Sequence, residues 1–431
     1  MEGPTRIRWS LLALLFFISS VTYLDRINIA VAGKLMSEAF GLTDLQFGTI
    51  FSAFVVGYAL FQVPAGWVGD RFGHKRTLVF SLILWSLFTA LTPWAGRSFL
   101  VSIVGVVPAI WIVRFLIGFG EAASYPCSNA LVGRWFPSKE RGIATGTIFA
   151  GLGLGTTITP PFVAWLMVTF GWERSFYICG MLGLVLAAVL FVYLTEKPED
   201  HSRINEAELQ YILSGRGTPA QAAAGTLPPV TPWKKILSDR NVWLLFTSYM
   251  CTGYTVYLYF SWFFRYLIDG RGMGIVQGSF FGALPFLLMT FSAPLGGWLS
   301  DRLSPRLGKT VARRLIVFCA KLPCLPLIYL GATTQDDTMS VIWLSFAFGL
   351  SFLGANCYWT TAIELLPPHA GTVSATMTMG INVAGMFAPV LTPLIKDQYG
   401  WTAAWVVAGA FTMVGGLLWI FIQPEKKIST G

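Results

Sequence analysis

Four ionisable side chains interrupt strongly apolar stretches in the first half of this chain: Asp25, Arg26, Arg114 and Glu121. Buried charge survives where it is paired or used, so each asks for a reason. Withdrawal from water favours the neutral form of a carboxyl, which suits it to taking up and releasing a proton. Asp25 and Glu121 are therefore the candidate proton carriers. A guanidinium stays charged at any pH and grips a carboxylate through two parallel N–H donors, which makes Arg26 the candidate anion anchor. Arg114 and Glu121 stand seven apart, so on a helix they share a face two turns apart, with Arg114 placed to hold Glu121 charged. Asp25 and Arg26 are adjacent and diverge by about 100°. Two acids and two bases sum to zero, and a purely structural alternative is two neutralising ion pairs that fix helix packing.

The elements that must position these groups are helices in lipid. Hydrophobic residues make up 55% of the 431 positions and charged ones 12%, where a soluble domain carries roughly 25% charge. Runs of about 20 apolar residues, the length that crosses a bilayer, fall near 10–33, 45–68, 77–96, 100–127, 141–167 and 172–195. A second set falls near 241–268, 275–300, 312–331, 338–362, 369–395 and 401–423. The sequence thus predicts an all-α membrane protein of about twelve transmembrane helices in two six-helix bundles, 1–195 and 241–431. The first run ends in Asp25, Arg26 and Asn28 with no small-residue cleavage site, so it reads as a span and not as a signal peptide.

Residues 196–240 form the only long hydrophilic stretch, read as a flexible connector. It holds an amphipathic piece at Glu206 to Leu213, a small-residue run from Thr218 to Pro232, and Trp233 with two lysines as an interface anchor. The formal charge of +9 lies mostly in short loops, which signals membrane orientation and not nucleic-acid binding. The amino-terminus, the loops after even-numbered spans, the connector and the carboxy-terminus hold 21 Lys and Arg against five in the opposite loops, so both termini are expected in the cytoplasm. Six cysteines within or beside apolar segments read as small buried hydrophobes, without metal or disulfide. The three histidines lie in or near loops, and no nucleophile or metal set points to an enzyme. The halves echo each other: Gly66-Trp67-Val68-Gly69-Asp70-Arg71 returns as Gly297-Trp298-Leu299-Ser300-Asp301-Arg302 at an offset of 231, and Gly171-Trp172 as Gly400-Trp401 at 229. Two markers at nearly one offset argue for a duplicated six-helix unit.

Gly66-Trp67-x-x-Asp70-Arg71-x-Gly73-x-Lys75-Arg76 resembles the signature loop of the major facilitator superfamily, with its weaker copy at Gly297 to Arg302. Arg114-x-x-x-Gly118-x-Gly120 resembles that superfamily's second motif. Tyr23-Leu24-Asp25-Arg26-x-Asn28, Gly120-Glu121-Ala122-Ala123-x-Tyr125-Pro126 and Trp135-Phe136-Pro137-x-x-Glu140-Arg141-Gly142 resemble its anion:cation symporter branch. The resemblance implies alternating access, with Gly66, Asp70, Arg71, Gly73, Asp301 and Arg302 as gating residues. It further implies protons as the coupling ion, with no other cofactor, and import of a small organic anion such as a sugar acid or an aromatic carboxylate. An exchanger or a facilitator without proton coupling shares this architecture. A monomer in a bacterial inner membrane completes the expectation.

Weaker candidates flank these groups. Tyr23 and Tyr58 can hydrogen-bond a hydroxyl or carboxylate, or pack. Asn382 is a membrane amide with substrate contact and helix–helix bonding both open, as are Asn356 and Thr360 one turn apart. Lys321 reads as a snorkelling end or a helix contact, Arg265 and Glu364 as span-end residues, and the role of Arg265 stays open. Asp70 and Asp301 stand at helix ends where a carboxylate caps a neighbouring helix N-terminus.

Overall fold

A computed structural model describes residues 4–137, 139–214, 233–366 and 369–426. The small-residue run Thr218 to Pro232 lies outside the described residues. The first half comprises α1 (Ile7–Phe40), α2 (Asp44–Phe72), α3 (His74–Ala95), the short α4 (Leu100–Val104), α5 (Val106–Glu121), α6 (Ser124–Trp135), α7 (Arg141–Phe170) and α8 (Trp172–Tyr193). The connector carries α9 (Glu206–Ser214) and α10 (Trp233–Ser238). The second half comprises α11 (Arg240–Arg265), α12 (Ile275–Leu307), α13 (Lys309–Lys321), α14 (Cys324–Thr333), α15 (Asp337–Phe352), α16 (Ala355–Leu365) and α17 (Ala370–Leu417).

Ten helical stretches are long and apolar enough to cross a membrane, with α5–α6, α13–α14 and α15–α16 each making one broken span. The run at the end of the chain is two spans joined through Gly400, whose φ of 82° breaks the helix. Helix α11 is 26 residues long and buries Tyr254, Tyr257, Tyr259 and Trp262, aromatic residues that lower its hydropathy while filling a core. With α11 and the division at Gly400, the described residues hold twelve spans.

Glycine sets the turns. Gly73 (φ 98°) is the single residue between α2 and α3, and Gly308 (φ 79°) does the same between α12 and α13. Gly171 (φ 92°) joins α7 to α8 as Gly400 joins the last two spans. Side chains other than hydrogen rarely tolerate these left-handed angles, so the Gly171-Trp172 and Gly400-Trp401 pairs found in the sequence mark one-residue hinges required twice. The breaks inside spans have a local cause as well. Pro126 on α6 cannot donate to the carbonyl four residues back, and the helix opens at Ala122 and Ala123, directly after Glu121.

The chain divides into two compact units, Met1–Leu42 with Ala53–Leu227, and Thr43–Ser52 with Pro228–Gly431. In the first unit, α2 and α5 touch backbone to backbone. A Cβ on Gly118 would run into the Phe54 carbonyl and one on Gly57 into the Phe115 carbonyl. Gly118→Val is therefore expected to destabilise the protein by about 1–3 kcal/mol or more, read as a lower thermal midpoint in detergent.

Part of the connector is tied to the first six helices. The Glu208 carboxylate is sealed from solvent and accepts from Ile7 N (3.0 Å), Arg8 N (3.3 Å) and Thr5 Oγ1 (2.6 Å), capping the start of α1 from outside that helix. Arg8 joins it to Glu140 (Nη1 to Glu208 at 2.8 Å, Nε to Glu140 at 2.9 Å), and Tyr211 donates to Glu140 at 2.8 Å. Glu196 accepts from the backbone N–H groups of His74 and Lys75 at 2.8 Å each and pairs with Arg134. The carboxylate that caps α3 is thus Glu196 and not Asp70, which is exposed and hydrogen-bonds the His74 ring at 3.1 Å. Asp301 is exposed, and its side chain makes no hydrogen bond or ion pair among the described residues.

Candidate functional site

The predicted charges gather in the first unit on α1 and α5. Helix α1 presents Tyr23, Asp25 and Arg26, and α5 presents Arg114 and Glu121, the last residue before the helix opens. Arg26 donates through Nε to Glu121 Oε1 at 2.6 Å, and its Nη2 contacts the same oxygen. Arg26 and not Arg114 therefore supplies the ion pair to Glu121, because the residue following Asp25 is the one turned toward α5. Three rings surround the Arg26 guanidinium, with Tyr58 at 4.5 Å, Tyr23 at 4.8 Å and Phe54 at 4.9 Å. Aromatic faces hold a guanidinium by cation–π attraction while leaving its N–H edge to an acceptor. Tyr58 also accepts from Gln62 Nε2 at 3.2 Å.

Asp25 and Arg114 are each 1% exposed and Glu121 is fully buried. Asp25 lies within electrostatic reach of both Glu121 and Arg114. Its carboxylate lies beside the Trp85 indole, while Nε and Nη2 of Arg114 and Oε2 of Glu121 have no hydrogen-bond partner among the described residues. Arg114 stands over the Phe54 ring at 5.2 Å, so one phenyl ring lies beside both arginines. The site therefore consists of one closed ion pair and a second, unclosed acid and base. Phe54 was not singled out in the sequence, although it precedes Tyr58 by one turn and stacks with it at 6.1 Å.

The remaining candidates separate from this group. Asn382 is 4% exposed in the second unit and its side chain makes no hydrogen bond among the described residues. Asn356 donates to the Ala293 carbonyl at 2.6 Å, a helix–helix bond between α16 and α12. Lys321 does not snorkel. It is 1% exposed, donates to Thr252 at 3.1 Å and faces the Tyr358 ring at 5.8 Å. Arg265 pairs with Asp44 (2.6 Å) and Asp269 (3.0 Å), and Lys396 also contacts Asp44, all within the second unit. Glu364 pairs with Arg313 and Lys309 at 3.0 Å. Of the gating motif, Arg71 lies over Trp67 at 5.5 Å and Arg302 over Trp298 at 5.6 Å. Five of the six cysteines are buried, but Cys319 is exposed on α13.

Glu196 supports a prediction of its own. Burial pushes its carboxyl up, but this is outweighed by the N–H groups of Lys75 and His74 and by the Arg134 charge, so it sits below the ordinary glutamate value. A depressed folded-state value stabilises above the unfolded value and is lost as pH falls through the folded one. Glu196→Gln is expected to cost about 1–3 kcal/mol at neutral pH. The deficit against wild type should vanish in acid, as followed by thermal midpoints across pH.

The Major Facilitator Superfamily profile matches residues 15–380. A "Probable sulfoacetate transporter SauU" of Cupriavidus necator is 33% identical over all of this chain and 97% of its own. A "Probable galactarate/D-glucarate transporter GarP" of Escherichia coli K12 is 30% identical over 97% of this chain and 95% of its own. The solved bacterial homologue of the human lysosomal transporter Spinster superposes over the whole of both chains with a TM-score of 0.80 at 17% identity, a likeness of fold. Its apolar helices and these relatives make the protein an integral membrane transporter and not an enzyme. With the profile spanning most of its length and a relative a third identical from end to end, this chain belongs to the Major Facilitator Superfamily.

Proposed function

We propose that this protein imports a small organic anion, such as a sugar acid or sulfoacetate, together with protons by alternating access. The observation that carries the reading is the buried Arg26–Glu121 pair with Asp25 and Arg114 beside it. With both acids ionised the four charges cancel, and Glu121 competes with any anion for the Arg26 guanidinium. Protonating Glu121 releases Arg26, and protonating Asp25 leaves a second uncompensated cation in Arg114. Proton and anion then each favour the binding of the other, and linkage makes that coupling equal in both directions. Two carboxyls allow more than one proton per anion. The aromatic rings of Tyr23, Phe54 and Tyr58 orient Arg26 and offer two hydroxyls to the anion's own oxygens. The loop-charge bias places both termini in the cytoplasm, and the bacterial relatives suit an inner-membrane monomer.

The test is uptake into proteoliposomes of radiolabelled aldonates, uronates, aldarates, aromatic acids and sulfoacetate, with and without an inward proton gradient. Accumulation of one anion only with the gradient supports symport. Uptake indifferent to the gradient leaves an exchanger or facilitator, with the same fold and the acids as structural pairs.

A further inference from the structure

A groove of about 650 Å³ runs along the outside of the first unit, between the start of α3 and the end of α8 and apart from the buried charges. Ligand clefts commonly measure about 300–1,000 Å³. Its walls are mostly apolar, and Phe80, Ile83 and Phe191 among them are exposed on helices that cross the membrane, so lipid is their neighbour. One end differs. Lys75 and Arg76 stand there beside Gly73, the hinge that turns α2 into α3. Along α3, Phe80 and Ile83 follow Lys75 and Arg76 at helical spacing, so the cations and the apolar wall share one face.

The acids at this end leave the two cations uncommitted. Glu196 accepts the two backbone N–H groups described above and pairs with Arg134. Lys75 lies within electrostatic reach of Glu196 but closes no ion pair with it, and its Nζ stands over the Phe191 ring at 5.3 Å. Arg76 is exposed and closes no ion pair among the described residues. Asp200 stands exposed at the rim. With Arg134 counted, Lys75 and Arg76 make three cations against the two carboxylates of Glu196 and Asp200. The second half does not repeat the basic pair: counted from its own hinge at Gly308, the matching positions are Thr310 and Val311.

We infer that this groove binds an anionic phospholipid of the surrounding bilayer, with its phosphate between Lys75 and Arg76 and an acyl chain along Phe80, Ile83 and Phe191. A free phosphate has no use for the apolar wall, and an uncharged chain has no use for two cations. A zwitterionic headgroup brings a cation of its own, which Lys75 and Arg76 repel. Basic pockets at the edge of the membrane attract anionic headgroups, and Lys and Arg gather in the loops on this side of the spans. The site stands whether or not uptake follows a proton gradient.

The full chain is reconstituted in vesicles of equal parts phosphatidylglycerol and phosphatidylcholine, and native mass spectrometry reads which lipid stays bound on release. Phosphatidylglycerol is expected to be retained in preference to phosphatidylcholine. A basic residue beside an anionic headgroup is worth roughly fivefold, so Lys75→Gln with Arg76→Gln should weaken retention roughly thirtyfold. Asp200→Asn removes the exposed acid at the rim and should strengthen retention several-fold. In wild type, phosphatidylglycerol with a photoreactive acyl chain is expected to label α3 around Phe80 and α8 around Phe191 more than the start of α13, and this needs no variant to fold. Equal retention of the two lipids overturns the anionic headgroup. Retention unchanged in both variants overturns Lys75 and Arg76 as its partners. Label spread evenly over α3, α8 and α13 overturns the groove. Displacement of the lipid by added inorganic phosphate leaves a phosphate subsite alone and overturns the acyl-chain contact.

Discussion

Arg26→Ala is expected to abolish uptake, and Arg26→Lys to leave only a small remainder. Truncating one partner of a buried, hydrogen-bonded charge pair costs about 2–5 kcal/mol, or roughly thirty- to several-thousand-fold in binding. Here alanine removes the anion's anchor and also leaves Glu121 as a fully buried acid without its pair. Lysine keeps the charge but is a point donor, and loses both the two-pronged grip and the flat surface that Tyr23, Phe54 and Tyr58 enclose. Substrate-induced thermal shift separates binding from transport. A variant that binds and transports like wild type would remove Arg26 from the site and leave its pair with Glu121 as packing alone.

The second expectation separates the two carboxyls. Asp25→Asn should end gradient-driven accumulation while counterflow of labelled against unlabelled anion continues, because an amide carries no proton but leaves Arg26 in place. Glu121→Gln should instead bind anion more tightly than wild type. It removes the competitor whose charge-assisted hydrogen bond to Arg26 is worth about 1.5–3 kcal/mol, or roughly ten- to a hundredfold in affinity. The pH dependence follows with a definite sign. Wild-type affinity falls as pH rises and Glu121 ionises, whereas that of Glu121→Gln stays nearly level. Isothermal titration across pH with the anion found by the uptake panel tests this. Parallel pH profiles for the two proteins would move proton coupling away from Glu121.

Much of this was legible in the residues themselves. Apolar runs of bilayer length gave the spans, since in lipid a backbone satisfies its polar groups within a helix. Duplicated Gly-Trp pairs marked hinges because only glycine adopts the φ of 92° at Gly171 and 82° at Gly400. Spacing was less informative about partners. Arg114 and Glu121 share a face of α5 and yet do not pair, since residues seven apart stand about 10 Å apart along the axis. The partner that reaches Glu121 comes from α1, 95 positions away in sequence. Local pattern also misjudged the connector: nothing near Glu208 shows that its carboxylate closes the start of α1, or that Glu196 closes the start of α3. Arg265 found its reason only in Asp44, whose first turns of α2 pack with the second unit.

Composition and short-range pattern are enough for the solvent, the number of spans, the duplication and the four charges that an apolar interior must accommodate. These depend on composition and on periods of a few residues, which are properties of the chain before it folds. Packing alone settles which acid meets which base, which rings enclose Arg26, and that Trp85 comes to stand beside Asp25. Those outcomes depend on how close glycines such as Gly57 and Gly118 let two helices come and on the angle at which each side chain leaves its helix. Distances of a few ångströms between residues far apart in sequence are set by packing, and no periodicity along one chain encodes them.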